Sequence, residues 1–337
     1  IVGMQVGDVK VFRGIRYGEP PIGERRFSPP VAAKGWDGTL DATDYPNRAM
    51  QPPTATILGP RAPGEMNEDC LFLNIYTPST GAGNRPVLFW IHGGSLTTGT
   101  ANEYDGSVLA KQGDVVVVTI NYRLGLFGFL DLSRLGDEFA GSASNGFRDQ
   151  ILALKWVRDN IADYGGDPNN VTIFGESAGG QSVFSILASP SADGLYHKAI
   201  SNSGSYANMP PAELVPKLTT RLKVDSDGLV DALRSMDARK LLSTQIAMQE
   251  LGGGGVDGVV VTRSTVEAIA ERGAAGVPLI AGSNLNEGTL FSVIIPPGFY
   301  SVIGEGLAMV TLSGSDPTAY LAKLREAYPD DNDREHY

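Results

Sequence analysis

The sequence predicts an α/β fold with a mostly parallel central sheet, helices on both faces of that sheet, and an antiparallel edge formed by the N-terminal part. After residue 85, apolar segments of strand length alternate with helical patterns, which is typical of parallel sheets. One of these strands leads directly into a Gly-x-Ser-x-Gly pattern that opens a helix. The first 80 residues are instead rich in Pro and Gly and hold only short β segments.

The individual elements follow from the spacing of apolar residues. Helix-spaced apolar side chains over 145–161 predict a helix, and small residues from Ala178 onward predict another. The pattern over 205–275 is helical but looser, and we expect it to belong to a single domain formed by residues 1–337. Short apolar or β-branched runs predict strands at 8–12, 71–76, 86–91, 115–121, 171–174, 197–201 and 277–281.

Composition excludes several classes of function. The formal net charge of −11 repels nucleic acid and anionic lipid, so we expect neither nucleic acid nor a membrane as partner. Cys70 is the single cysteine, which rules out a disulfide within the chain and fits a reducing compartment. Three scattered histidines offer no ligand cluster, and no glycine-rich phosphate loop is present, so we expect no metal and no cofactor. Oligomeric state and compartment are left open.

The most informative segment is the strand at 171–174 followed by Gly175-Glu-Ser177-Ala-Gly179. A nucleophilic serine must lie on a very tight turn so that its hydroxyl projects into a cleft, and glycines on either side avoid a clash there. The alternative is a glycine-rich turn with an incidental serine. The strand before the pattern and the helix of small residues after it favour Ser177 as a nucleophile.

A second segment supplies donors for the chemistry that such a serine performs. Acyl transfer creates a tetrahedral oxyanion that needs fixed N–H donors, and one of them is normally the amide after the nucleophile, here Ala178. The strand at 86–91 runs into His92-Gly93-Gly94, whose small residues allow the backbone to approach a substrate oxygen. Alone this pattern is a strand-ending turn, but together with the serine pattern it indicates an oxyanion loop. We interpret His92 as a residue that orients this backbone.

Four further segments resemble the type-B carboxylesterase and cholinesterase family, in that family's order and spacing. They are Phe12-Arg-Gly-Ile-Arg-Tyr-Gly-Glu-Pro-Pro21, Glu68-Asp-Cys-Leu-Phe-Leu-Asn74, Asn121-Tyr-Arg-Leu124 and Gly165-Gly-Asp-Pro168. The resemblance implies the α/β-hydrolase fold and a carboxylic ester hydrolase that works through a serine acyl-enzyme on a small-molecule ester. A catalytically silent binding or adhesion module of the same family, or an amide or carbamate hydrolase, are the alternatives.

The resemblance also implies further site residues. The family's acid lies in an Asn-x-x-Glu-Gly context after a late strand, which here is Glu287; otherwise we would interpret it as a solvated loop residue. Its role would be to hold the basic histidine in the right tautomer. The family's oxyanion donors fall on Gly94 and Ser95, where Ser95 replaces a glycine. The family's basic histidine lies in a His-Gly context well after the acid. None of the three histidines of this chain, His92, His197 and His336, fits that position. We therefore expect the base and a last strand to follow residue 337.

We infer a substrate preference from the lack of aromatic residues at two places in the sequence. The choline-binding relatives carry a Trp in the loop at 54–66 and an aromatic residue at the position of Leu290, and this chain has neither. A quaternary ammonium would therefore lack its aromatic face, so we expect non-choline esters with an apolar or aryl part. Leu96, Leu290 and Phe291 are the expected walls of the substrate pocket.

Overall fold

The computed structural model describes residues 1–53, 62–81, 83–205, 210–248, 254–272, 276–285 and 287. Its contacts divide the chain into two units, Ile1–Ala281 and Gly282–Tyr337. Among the described residues, the first unit holds the eight α-helices named below and nearly all of the sheet. In the second unit, the described residues are 282–285 and 287, so the single domain expected for residues 1–337 stays a prediction.

A mixed sheet forms the centre of the first unit, with the strand order β1-β2-β3-β5-β4-β6-β7-β8. Its strands are β1 (Met4–Val6), β2 (Val9–Arg16), β3 (Phe72–Thr77), β4 (Arg85–Ile91), β5 (Val116–Ile120), β6 (Gly166–Glu176), β7 (Lys198–Asn202) and β8 (Leu279–Gly282). Strands β1, β2 and β3 are antiparallel to their neighbours, whereas β4 pairs in parallel with β5 and β6, and β6 with β7. The predicted parallel sheet with an antiparallel N-terminal edge is therefore confirmed.

Helices connect and cover these strands. They are α1 (Ser107–Gly113), α2 (Gly125–Phe129), α3 (Asn145–Asn160), α4 (Ala178–Leu187), α5 (Val215–Leu222), α6 (Ser226–Ser235), α7 (Ala238–Met248) and α8 (Thr265–Arg272). The α3 helix ends one residue before the predicted boundary, and α4 begins at the predicted residue. The looser region at 205–275 contains α5 to α8. Among the described helices, α3 is the longest at 16 residues, and none is long and apolar enough to cross a membrane.

The central strands are buried because both faces of the sheet are covered. All five residues of β5 are buried, as are the alternate residues Val87, Phe89 and Ile91 of β4. Continuous burial of this kind is typical of parallel strands and explains why every residue at 115–120 is β-branched and all but Thr119 are apolar. A separate apolar cluster lies under the helical region and joins Phe127 of α2 to leucines of α5, α6 and α7. This cluster stabilises a region whose sequence pattern is otherwise weak.

A buried ion pair ties the turn after β5 to α3. Asp149 accepts from Arg123 through its backbone N–H at 3.0 Å, Nε at 2.8 Å and Nη2 at 2.7 Å, and Arg123 Nη1 donates to the carbonyl oxygen of Ser28 at 2.8 Å. The exposed fractions of the two side chains are 3% and 0%. Every oxygen of this carboxylate is thus hydrogen-bonded, which is the condition under which a buried charge pair is tolerated.

We expect Asp149→Asn to lower the free energy of unfolding by about 3 kcal/mol or more, because it leaves the Arg123 guanidinium buried without its counter-charge. Urea denaturation measures this loss. Asp159→Asn is the matched control, since it breaks the exposed pair between Arg158 and Asp159 and should leave stability unchanged within error. Equal losses in the two variants would contradict the prediction.

Candidate active site

Ser177 occupies a strained corner between β6, which ends at Glu176, and α4, which begins at Ala178. Its φ of 55° and ψ of −121° lie in a region that L-residues rarely adopt, at a cost on the order of 1–3 kcal/mol. Two hydrogen bonds hold the corner. The Ser177 N–H donates to the carbonyl oxygen of Asn202 at 2.9 Å, and the Ser177 carbonyl accepts from the N–H of Gln181 at 2.9 Å.

The two glycines that flank Ser177 allow strand and helix to approach closely. A Cβ on Gly175 would lie 2.5 Å from backbone atoms of Gly179, and a Cβ on Gly179 would overlap the carbonyl oxygen of Ile91 at the end of β4. A side chain at either position would therefore push α4 away from the sheet. The sequence pattern thus has a packing reason that involves Ile91 in β4, 88 residues before Gly179.

The glycine loop after β4 starts beside this corner. Parallel pairing sets Ile91 opposite Gly175, so the next residues of both strands leave the sheet at the same edge. A Cβ built on Gly93 would lie 3.2 Å from the Cβ of Ser177 and 2.7 Å from the carbonyl oxygen of Glu176. The loop and the serine are therefore in direct contact.

Three consecutive residues in and directly after the glycine loop (residues 92–95) have left-handed backbone: Gly94 with φ 106°, and Ser95 and Leu96 with φ 56° each. The last two are strained, because their side chains disfavour this region. Within the described ranges, the amides of Gly94 and Ser95 donate to no backbone or side-chain oxygen. The Ala178 amide heads α4, where first-turn N–H groups have no helical acceptor. Such N–H groups, with the positive end of α4, suit an anionic oxygen.

Two histidines are committed to backbone contacts. His92 is 1% exposed, its Nδ1 lies 2.8 Å from the Gly93 carbonyl oxygen, and burial lowers its pKa to about 4, so the imidazole is neutral. His197 precedes β7, and its Nδ1 accepts from the N–H of Val171 at 3.1 Å. Partial burial and the neighbouring Lys198 lower the pKa of His197. His336 lies outside the described residues.

The other predicted site residues have different placements. Glu287 belongs to the second unit, where its Oε1 accepts from the backbone N–H of Asn284 at 2.8 Å and from Asn284 Nδ2 at 3.2 Å. Leu96 is 1% exposed and packs in the main core, so it presents almost no surface to a ligand in this conformation. Leu290 and Phe291 lie outside the described residues. The roles assigned to these four residues stay predictions.

The structure adds a residue that the sequence did not single out as functional. Tyr122 follows β5, and its hydroxyl donates to the carbonyl oxygen of His92 at 2.8 Å while its ring stacks on the His92 ring with centroids 4.4 Å apart. The signal in the sequence was a tyrosine directly after a buried strand of the parallel sheet, at the edge where such sheets bind ligands. No ligand cluster for a metal ion exists among the described residues.

Two known proteins with similar sequences are named as esterases. The para-nitrobenzyl esterase of Bacillus subtilis is 40% identical over 304 residues, which cover 86% of this chain and 62% of that protein. The human cocaine esterase is 42% identical over 306 residues, which cover 86% of this chain and 53% of that protein. The chain thus spans roughly half to three fifths of the length of these curated relatives.

Solved structures of esterases share the fold. The carboxylesterase EST55 of Geobacillus stearothermophilus at pH 6.2 superposes with a TM-score of 0.86 at 36% identity, covering 99% of this chain and 70% of that one. A thermophilic pNB esterase gives the same TM-score and identity, and its match covers 99% of this chain and 71% of its own. The family model described as "Carboxylesterase family" matches residues 1–328. This chain therefore belongs to the carboxylesterase family and has the α/β-hydrolase fold of its members.

Proposed function

We propose that the protein hydrolyses carboxylic esters through an acyl-enzyme formed on Ser177. The observation that carries this proposal is the contact between the strained serine corner and the glycine loop after β4. Strain of this kind persists only where the surroundings enforce it, and it concentrates at functional sites. Here it occurs on both sides of one contact, at Ser177 and at Ser95 and Leu96. Family membership and the esterase names of the relatives support the same reaction class.

In the proposed reaction, Ser177 Oγ attacks the ester carbonyl carbon while a basic histidine takes the hydroxyl proton. The carbonyl oxygen becomes an oxyanion that accepts from the amides of Gly94, Ser95 and Ala178. The histidine then gives the proton to the leaving alcohol as the carbon–oxygen bond breaks. Water attacks the acyl-enzyme in the same way, which releases the acid and restores the serine hydroxyl.

The proposed base is a histidine outside the described residues, because both described histidines hold backbone groups. Glu287 is the proposed acid that orients this histidine. Two N–H donors of Asn284 hold one oxygen of its carboxylate, which limits the rotation of the side chain. An oriented carboxylate fixes the tautomer of a neighbouring imidazole and stabilises the imidazolium that forms during attack.

The proposed substrates are uncharged esters with an apolar or aryl part. The segment at 54–66 has no aromatic residue, and Leu290 stands where the choline-binding relatives carry one, so a cationic ammonium lacks a partner at these positions. Leu290 and Phe291 are the proposed apolar walls, whereas Leu96 packs in the main core in this conformation. The name of the Bacillus subtilis relative, para-nitrobenzyl esterase, supports an aryl group on one side of the ester.

We expect Ser177→Ala to lower kcat for a p-nitrophenyl ester by about 10⁵-fold or more, because it removes the nucleophile. Intact mass after incubation with a fluorophosphonate should show one adduct on the wild type and none on the variant. Ser185→Ala on the same helix is the matched control and should keep both activity and adduct. A wild type without an adduct at Ser177 would instead favour a binding module.

Glu287→Gln should lower kcat on the order of 10⁴-fold with little change in KM, as for the acid of other triads, because the amide selects the wrong imidazole tautomer. Steady-state kinetics on a p-nitrophenyl ester measure the effect. The fluorophosphonate adduct should still form at Ser177, but slowly. Glu138→Gln, an exposed change on the first unit, is the control and should behave as wild type. A fully active Glu287→Gln would remove the residue from the mechanism.

Substrate choice is tested with butyrylcholine and its uncharged isostere, 3,3-dimethylbutyl butyrate. The two esters have the same shape and differ in the ammonium charge. We expect kcat/KM to favour the uncharged ester by about tenfold, because a cation that loses its water without gaining an aromatic face is penalised. A preference for butyrylcholine would show that aromatic residues elsewhere in the chain form a choline site.

A further inference from the structure

We propose that His92 and Tyr122 are positioning residues of the oxyanion site. His92 fixes the peptide plane that carries the Gly94 amide, and Tyr122 anchors both the carbonyl group and the ring of His92. This inference rests on the proposed function and adds to it the device that pre-forms the oxyanion site. The glycine loop is defined here as residues 92–95.

Three successive carbonyl groups of the glycine loop each have a hydrogen-bond partner. The His92 carbonyl accepts from the Tyr122 hydroxyl at 2.8 Å. The Gly93 carbonyl lies 2.8 Å from Nδ1 of His92, which must be the protonated nitrogen because a carbonyl can only accept. The Gly94 carbonyl accepts from the N–H of Thr98 at 2.9 Å and from its hydroxyl at 3.1 Å. The loop is thus restrained at every peptide unit.

Restraining these carbonyls also orients the amides that follow them. A trans peptide unit is planar, so its N–H points opposite to its C=O. The bond from His92 Nδ1 to the Gly93 carbonyl therefore sets the direction of the Gly94 N–H. In the same way, the bonds from Thr98 to the Gly94 carbonyl set the direction of the Ser95 N–H. These two N–H groups are the proposed oxyanion donors.

The pair His92 and Tyr122, called the clamp below, is buried and tightly packed. Both rings are buried and stack at 4.4 Å with an interplanar angle of 20°, so the imidazole cannot turn without moving Tyr122. A Cβ on Gly99 would lie 2.5 Å from both His92 Nδ1 and the Gly93 carbonyl oxygen, so Gly99 packs against both groups and no larger residue fits there. Gln51 holds Gly99 in place through two hydrogen bonds of 3.0 Å.

A glycine loop needs such restraints for catalysis. Glycine populates left-handed and right-handed backbone with similar ease, so an unrestrained Gly93-Gly94 segment can turn its amides away from the serine. Amides that are already aligned stabilise the oxyanion without reorganisation in the transition state, and one such donor contributes roughly 10²- to 10³-fold to kcat. The clamp should therefore affect the transition state more than ground-state binding.

The test is Tyr122→Phe, which removes one hydroxyl and keeps the stacked ring. We expect kcat to fall by about 10- to 100-fold with KM changed less than about threefold, because loss of alignment weakens an interaction made in the transition state. The affinity for an aryl trifluoromethyl ketone, which forms a tetrahedral oxyanion on the serine, should fall by the same factor as kcat/KM. A merely structural role would lower the melting temperature and leave this affinity unchanged.

Tyr76→Phe is the matched control, because it removes a buried hydroxyl that donates to the carbonyl oxygen of Tyr104 at 3.2 Å, outside the glycine loop. It should keep kcat and ketone affinity within about twofold of wild type. A second pair tests the imidazole: His92→Asn can place an N–H near Nδ1 and should retain more activity than His92→Gln, which cannot.

Wild-type kcat and ketone affinity in Tyr122→Phe would overturn the inference. If that variant does not fold, equal activity of the two His92 variants would overturn it. Failure of the proposed function has a different signature, since the wild type would then show no fluorophosphonate adduct at Ser177 and no esterase activity. The inference fails alone when the wild type is labelled and active but the clamp variants match it.

Discussion

The parallel pairing of β4 with β6 is the constraint on which the candidate site depends. Register sets Ile91 opposite Gly175, so both strands release their chains at the same edge of the sheet and at the same level. Gly93 thereby meets Ser177, and α4 starts beside the glycine loop. Neither turn forms the proposed site by itself, because the Ser177 hydroxyl and the proposed donor amides of the glycine loop lie on different turns. The flanking strands β5 and β7 add support from the same edge through Tyr122 and Asn202.

Charged residues near the N-terminal family-like segments, at 12–21 and 68–74, form ion pairs that stabilise the fold. Arg16 forms a two-pronged ion pair with Asp69, at 2.5 Å and 2.8 Å. Arg26 binds Glu68 and also donates to the carbonyl oxygens of Leu233 and Met236 at 2.6 Å and 2.7 Å, which close the C-terminal end of α6. These contacts give the charged residues of these segments a structural role outside the serine corner. They join the Pro- and Gly-rich beginning of the chain to the helical region.

Elements with strong local signals could be predicted from the sequence, and those that depend on distant contacts could not. The β-branched run of β5 and the helix spacing of α3 identified both elements nearly to the residue. The start of β6 was placed five residues too late, because Gly166 enters the strand by pairing with Arg85 across an irregularity in register. The serine corner was predicted from the glycine spacing together with the strand before it and the helix of small residues after it. The hydrogen bond from Tyr122 to His92 joins residues 30 positions apart, and no local pattern specifies it.

The close approach of Gly179 to the carbonyl oxygen of Ile91 limits how such a protein can diversify. The sheet and α4 can lie this close because Gly179 has no side chain. Any larger residue at position 179 would therefore move the Ser177 hydroxyl as well as its surroundings. Variation in what the protein accepts must therefore arise in loops that approach the corner from other directions. Laboratory evolution toward new acyl groups would do best to leave the strand–helix junction untouched and to randomise those loops instead.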